Sequence, residues 1–259
     1  MKIQSNYEVT TNAIPNVAVV VPVRNEAENV FPLIEEIVLA LAGLSYEIIF
    51  VNDGSTDDTS IALRDAEIRH PCLRTLTHTS SLGQSTAILS GVRAALGDVI
   101  ITMDGDGQNN PADALILLET FYSAGSKLVM VAGHRVKRSD IWLRRFSSRV
   151  ANNVRKKILG DATPDTGCGL KVFSRQTFLE IPAFNHMHRF LPALIIRAGG
   201  QVLSVPVSHR PRTKGMSNYG LWNRLWVGII DLLGLLWLLR RPARPTFVEK
   251  DKDESGDLK

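Results

Sequence analysis

Residues 17–43 read VAVVVPVRNEAENVFPLIEEIVLALAG. Val17–Val23 is a β-branched apolar run, the pattern of a strand buried on both faces. From Asn25 the spacing changes: Val30, Leu33, Ile34, Ile37, Val38 and Leu41 recur at helical intervals, and Gly43 supplies the stop. The chain then repeats this strand-then-helix unit. Glu47–Val51 (EIIFV) reads as a second strand, Asn52–Ser55 (NDGS) as a turn, and Thr56 as the N-cap of a helix to about Arg69. Leu73–Thr77 is a third strand, Gln84–Leu96 a helix and Val99–Met103 (VIITM) a fourth strand. Pro111 opens a further helix, and Leu128–Ala132 is a fifth strand. Such alternation predicts an α/β fold with a mostly parallel central sheet and helices on both faces. Ligands of such sheets sit beyond the carboxyl ends of the strands. The loops Pro22–Glu28, Asn52–Asp58, Asp104–Asn109 and Gly133–Arg138 are therefore expected to meet on one rim.

A length of 259 residues suits one large α/β domain or two small ones, and 44% hydrophobic with 22% charged residues excludes wholesale disorder. Cys72 and Cys168 are the only cysteines and form no CxxC, which argues against a disulfide scaffold or structural zinc and fits a reducing compartment. The N-terminal MKIQSNYEVTTNAIPN lacks the apolar run of a secretory signal. The net charge of +4 hides a division. Residues 1–133 carry 7 Lys+Arg against 16 Asp+Glu, net −9, and residues 134–259 carry 23 against 10, net +13. The acidic half suits a cation; the basic half suits a phosphate, a nucleic acid or a membrane surface.

After Gly133 the pattern predicts a basic helix over Trp142–Leu159, a turn-rich Gly160–Gly169 and a strand-like Leu170–Phe173. A helix near Phe190–Ala198, a strand over Val202–Val207 and a basic loop, His209–Ser217, follow. Leu221–Leu239 is strongly apolar, but the 15 residues between Arg224 and Arg240 fall short of the roughly 20 that span a bilayer, and Asp231 interrupts them. Trp222, Trp226 and Trp237 with the flanking arginines suit a membrane-interface helix. A helix packed on the domain, or half of a dimer interface, is the alternative. Glu249–Lys259 reads as a charged disordered tail.

Three strand-end motifs carry chemistry. Asp104-Gly105-Asp106 places two carboxylates in a turn where glycine permits close approach, a pattern that can hold a divalent metal, with Gln108 and Asn109 as further donors. A solvated acidic turn is the alternative. In Asn52-Asp53-Gly54-Ser55 a carboxylate can accept a base N–H or a ribose hydroxyl, or else form an Asx turn. Glu26, in Pro22-Val23-Arg24-Asn25-Glu26, can bind ribose or base, or serve as first-turn helix charge. The chain has no GxxxxGK[ST], no GxGxxG after the first strand, no GxSxG and no HExxH.

Taken together, VVVPVRNEAENV (19–30), EIIFVNDGSTDDT (47–59), ITMDGDGQNNP (101–111) and HRPRTKGMSNYGL (209–221) resemble family 2 glycosyltransferases of the GT-A fold. Within these, the chain is similar to polyprenyl-phosphate sugar transferases of the dolichyl-phosphate mannose synthase type, over about residues 15–220. The resemblance implies a catalytic domain over 17–220, an N-terminal extension over 1–16, an interfacial helix over 221–245 and a tail over 246–259. It implies that Pro22, Arg24, Glu26 and Asp53 bind the nucleotide, and that Asp104, Asp106 and Gln108 hold the metal. Arg135 matches an arginine that meets a substrate phosphate. Arg212, Lys214 and Ser217 fall in a phosphate loop, and Asp165 sits near the reaction centre. The family's usual DDGS is here NDGS, and the QxxRW of processive synthases is absent.

The implied reaction is metal-dependent, inverting transfer of one sugar from a nucleotide-sugar donor to a polyprenyl phosphate, with Mg²⁺ or Mn²⁺ as cofactor. The implied location is the cytoplasmic face of a membrane, peripheral or monotopic, with a homo-oligomer or a membrane partner subunit as further expectations. A hydroxyl acceptor is the alternative and would need a general base, for which Asp165 is the candidate. A non-catalytic binding subunit is a third reading. Nucleic acid is not an expected partner, because no recognition module accompanies the basic charge.

Overall fold

The computed structural model describes residues 15–126, 128–135, 163–211 and 221–241, with side chains from residue 230 onward in the last segment. The elements are β1 (Val17–Val23), α1 (Ala27–Ala40), β2 (Tyr46–Asn52), α2 (Thr59–Arg69), β3 (Leu73–Thr77), α3 (Gln84–Ala94) and β4 (Val99–Thr102). A 3₁₀ turn (Pro111–Asp113), α4 (Ala114–Ser123), β5 (Val129–Arg135), β6 (Lys171–Ser174) and α5 (Arg175–Glu180) come next. A second 3₁₀ turn (Met187–Arg189), α6 (Leu191–Arg197), β7 (Gln201–Val207) and α7 (Leu221–Leu239) complete the described elements.

The seven strands form one sheet in the order β3-β2-β1-β4-β6-β5-β7. Only β6 runs antiparallel to its neighbours. Strand alternation explains why β1 is apolar throughout. Val17, Val19, Val21 and Val23 face the core under α1, α2 and α4, while Ala18 and Val20 face the core under α3, α5 and α6. Both faces are covered, so neither tolerates a polar residue.

Several boundaries differ from the sequence expectation. α2 starts at Thr59, not after Thr56, because the Asp57 carboxylate accepts the Thr59 N–H at 3.0 Å, while the Thr56 N–H donates to Asn25 Oδ1 at 2.8 Å. α3 ends at Ala94. The strand near Leu170–Phe173 is present, but it enters the sheet reversed, between β4 and β5. α5 and the second 3₁₀ turn have no counterpart in the sequence reading. The basic helix expected over Trp142–Leu159 lies outside the described residues.

α7 lies partly on the domain. Leu235 is buried in the α3–α6 core, and Leu232, Leu236, Leu238 and Leu239 pack against it. On the other side Ile230, Leu233 and Trp237, spaced along one helical stripe, are 68%, 61% and 62% exposed. No helix among the described residues is long and apolar enough to cross a membrane.

Candidate active site

The first two strand-end loops are laced together. Asn25 takes φ 57, which lets its backbone N–H donate to Ser55 Oγ at 3.0 Å and its Oδ1 accept from Thr56. The Glu26 N–H donates to Thr59 Oγ1 at 2.9 Å, and the Glu26 carboxylate accepts from Asn29 Nδ2 at 2.6 Å. Asn52 closes the NDGS turn, accepting the Ser55 N–H at 3.0 Å and donating to Ser60 Oγ at 2.8 Å. Gly54, at φ 62, could not carry a side chain, since a Cβ there would lie 2.6 Å from the backbone at Ser80 and Ser81.

With the turn closed by Asn52, the Asp53 side chain is committed elsewhere. It is 4% exposed and accepts four hydrogen bonds: from His78 Nδ1 and the Leu82 N–H, both at 2.8 Å, and from Ser81 Oγ at 2.8 Å and the Gly83 N–H at 2.9 Å. Burial opposes its ionisation, but these donors outweigh burial and hold the carboxyl below the usual range. His78 is fixed in turn, with Nε2 3.0 Å from Ser90 Oγ. Asp53 thus organises the loop from His78 to Gly83.

Asp104 is placed differently. Its backbone N–H donates to Asn109 Oδ1 at 2.9 Å, which shapes the DGDGQN turn, and Gln84 Nε2 donates to its Oδ1 at 2.9 Å. Burial and repulsion from Asp106 raise its pKa, against the pull of Lys171 and Arg135. Gly169 is needed here: a Cβ would come within 2.3–2.6 Å of the Asp104 carboxylate. The Gln108 N–H donates to Asp106 Oδ1 at 3.1 Å, while Gln108 Nε2 reaches the Arg210 carbonyl at 3.3 Å. Arg210 pairs with Glu36 and Asn110, so the chain leading to Arg212 is stitched to the acidic turn. Arg212, Lys214 and Ser217 lie outside the described residues.

The donor set suits a hard divalent cation. Two carboxylates share one turn, and the more buried of them is destabilised by the other, a state that a cation relieves. Among the described residues no group of three His, Cys, Asp or Glu side chains forms a complete cage. A metal here would therefore take further oxygens from a ligand or from water.

Arg135 and Asp165 are brought together, but to each other. Arg135 Nε and Nη2 bind Asp165 Oδ2 and Oδ1 at 2.6 and 2.8 Å, a bidentate pair. Burial works against the Arg135 charge, yet Asp165 raises its pKa above the usual value. Both oxygens of Asp165 are engaged, a poor starting point for a general base.

A cavity of about 390 Å³ joins these parts, and Pro22, Gln84, Asp104, Lys171, His188 and Arg189 are among the residues that line it. Lys171 is 4% exposed; its Nζ donates to the Cys168 carbonyl, and burial lowers its pKa against the pull of Cys168, Asp104 and Asp165. The Ser85 hydroxyl accepts the His188 N–H at 3.1 Å and lies 2.7 Å from His188 Nδ1. Burial, then the charges of Arg189, Lys171 and His186, lower the His188 pKa to about 3, so its ring is neutral. Gln84, His78, Lys171, His188 and Arg189 were absent from the sequence-derived site. The available signals were a lysine inside the apolar run LKVF and the basic cluster in HMHRF.

The family model described as "Glycosyl transferase family 2" matches residues 18–181, from β1 through β6. The chain belongs to glycosyl transferase family 2. Among family 2 relatives, the dodecaprenyl-phosphate galacturonate synthase of Rhizobium johnstonii is 33% identical over 234 residues, covering 88% of this chain and 68% of the relative. The undecaprenyl-phosphate 4-deoxy-4-formamido-L-arabinose transferase of Edwardsiella ictaluri is 34% identical over 212 residues, 79% of this chain and 63% of the relative. The chain thus spans about two thirds of the length of these relatives. The glucosyl-3-phosphoglycerate synthase of Mycobacterium tuberculosis, solved with Mn²⁺ and uridine-diphosphate-glucose, superposes with a TM-score of 0.63 at 19% identity, over 86% of this chain and 79% of the other. That likeness shows the GT-A fold for this family 2 member.

Proposed function

We propose that this protein transfers a single sugar from a nucleotide-diphosphate donor to a polyprenyl phosphate at a membrane surface, with inversion at the anomeric carbon. The observation that carries the reading is the mixed charge of one cavity, lined by the Asp104 carboxylate and by the basic side chains of Lys171 and Arg189. The two relatives named for polyprenyl-phosphate products support the acceptor class.

The chemistry follows from what these groups can bind. An oxygen of the acceptor phosphate attacks the anomeric carbon as the bond to the donor's β-phosphate oxygen breaks. The nucleoside diphosphate departs with the electron pair. A phosphate monoester is ionised near neutral pH and needs no base. That suits a site whose candidate base, Asp165, is clamped by Arg135. A hydroxyl acceptor would require the base that this pairing removes. Asp104 and Asp106 would hold a divalent cation, Mg²⁺ or Mn²⁺, which when bound offsets the charge of the departing diphosphate; Mn²⁺ in the mycobacterial synthase supports this choice. Gln108 braces that turn against Arg210. Pro22 lines the cavity. Arg24 and Glu26 lie in the laced first loop beside it and are assigned to the nucleotide. Asp53 serves the base through the loop it holds, and a base N–H that reached its carboxylate would have to replace one of four donors. Arg212, Lys214 and Ser217 are assigned to phosphate. The stripe Ile230, Leu233 and Trp237, with Arg240 and Arg241 at its end, suits the headgroup layer of a bilayer.

The test is incubation with a panel of nucleotide sugars, Mg²⁺ or Mn²⁺ and undecaprenyl phosphate, followed by mass spectrometry of the lipid. The expected product is a sugar phospholipid cleaved by mild acid. An acid-stable glycolipid, or donor binding without any lipid product, would refute the proposal.

A further inference from the structure

The lining of the cavity includes an arginine, Arg189, that the resemblance did not single out. Several other arginines of the described structure have visible engagements. Arg74 pairs with Glu47, Arg135 with Asp165 and Arg210 with Glu36, while Arg175 and Arg197 donate to backbone carbonyls. Arg189 lines the cavity half-buried, and among the described residues its guanidinium has no carboxylate partner. It shares the cavity with Lys171, whose Nζ donates to the Cys168 carbonyl and which also feels the charges of Asp104 and Asp165. An arginine that lines the cavity without a carboxylate partner, with a second basic side chain lining the same space, forms a subsite for an anion.

The setting of Arg189 indicates from which side that anion comes. It lies in the segment 186–191, which is bound on one side to α3 through His188 and Ser85. On the other side the segment is bound to α7: His186 Nδ1 pairs with Asp231 at 2.9 Å, and Phe190 and Leu191 share a core with Leu235. Arg197, at the end of α6, donates to the Leu238 and Arg241 carbonyls at 3.1 Å, which ties down the end of α7. One short segment therefore joins the cavity wall to the helix that carries the exposed apolar stripe. On the proposed reading the donor's diphosphate is held by the metal at Asp104 and Asp106.

We infer that Arg189 binds the phosphate monoester of the acceptor, with Lys171 behind it, and that the 186–191 segment places this contact beside the surface where the acceptor's hydrocarbon chain arrives. The inference rests on the proposed reaction and adds a residue to it. Arg189 is a fixed cation, and its planar fork suits a phosphate's oxygens better than an ammonium does.

The experiment compares wild type with Arg189→Ala, Arg189→Gln and Arg189→Lys, each first checked for a wild-type melting transition. Two acceptors are used: undecaprenyl phosphate in detergent micelles and citronellyl phosphate, a water-soluble prenyl phosphate. Loss of one charge-assisted hydrogen-bonded pair corresponds to a rise of about tenfold or more in KM. Arg189→Ala and Arg189→Gln are expected to raise KM for both acceptors by that factor and to leave the donor KM unchanged, and Arg189→Lys to recover part of the loss. A rise for the micellar acceptor alone would mean that Arg189 serves the lipid surface and not the phosphate, and would overturn the inference. So would unchanged acceptor KM values or an effect confined to the donor. Calorimetric binding of citronellyl phosphate separates this inference from the reaction it rests on. Arg189-dependent binding without sugar transfer would uphold the subsite and refute the reaction; transfer that is indifferent to Arg189 would do the reverse.

Discussion

Asp53 and Asp104 stand at the carboxyl ends of β2 and β4, one on each side of β1, yet they are built in opposite ways. Asp53 accepts four hydrogen bonds and its carboxyl is held low. Asp104 receives one side-chain donor, faces Asp106 and is pushed up. The first charge is satisfied by the protein and holds a loop. The second is less fully satisfied, and on the proposed reading a metal completes it. The contrast separates an aspartate that shapes the site from one that is kept for a ligand.

The sharpest way to break this contrast is Asp104→Asn. It removes a carboxylate that burial and Asp106 disfavour, so thermal stability should stay level or rise, while sugar transfer falls about 100-fold or more with the loss of metal-assisted charge stabilisation. A melting curve and a transfer assay on the same sample check both halves.

Asp53→Asn should behave in the opposite sense. The new amide would face a donor, such as the Gly83 N–H, where the carboxylate accepted, at a cost of about 2–4 kcal/mol of stability. Chemical denaturation measures that loss directly. Residual transfer should show a raised donor KM, because the loop from His78 to Gly83 loses its anchor.

Gly169→Ala probes the Asp104 side without altering any charge. The added methyl would crowd the carboxylate at 2.3–2.6 Å, and overpacking of this kind costs about 1–3 kcal/mol. A loss of transfer of about tenfold or more with a donor KM near wild type is expected, measured by steady-state kinetics at saturating metal.

His188 extends the comparison to another residue lining the cavity. Its folded-state pKa of about 3 lies below the unfolded value of 6.5, so the native state excludes a proton that the unfolded state accepts. Stability from this residue is complete above pH 6.5 and is lost as pH falls towards 3. Between pH 7 and pH 5 the loss is about 2 kcal/mol at most. Denaturation at the two pH values should show a smaller drop for His188→Gln than for wild type.

Much of the frame was legible because it is local. The β-branched run of β1, the spacing in α1 and the DGDGQ turn each state their structure within a few residues. The antiparallel entry of β6 was not legible, since its four residues look the same in either direction and the sheet alone decides. That reversal also hid Lys171, which reads as a stray charge in LKVF until β6 is set beside β4 and Asp104. The partners of Asp53 were hidden for a different reason: they come from a loop 25 to 30 residues further on. Arg135 and Asp165, read singly as a phosphate ligand and a base, change meaning once their pairing is seen. The −9 and +13 halves do meet across one cavity, but through single residues: Asp104 from the first and Lys171 and Arg189 from the second.

The central claim is that Asp104, not Asp53, is the carboxylate kept for the metal. Electron paramagnetic resonance of Mn²⁺ titrated with wild type, Asp104→Asn and Asp53→Asn, each with a saturating nucleoside diphosphate, tests it most directly. The account predicts that Asp104→Asn abolishes the protein-bound Mn²⁺ signal, while Asp53→Asn retains it once enough nucleotide is added to offset weaker donor binding. Undiminished Mn²⁺ binding by Asp104→Asn, or its loss in Asp53→Asn at saturating nucleotide, would contradict it.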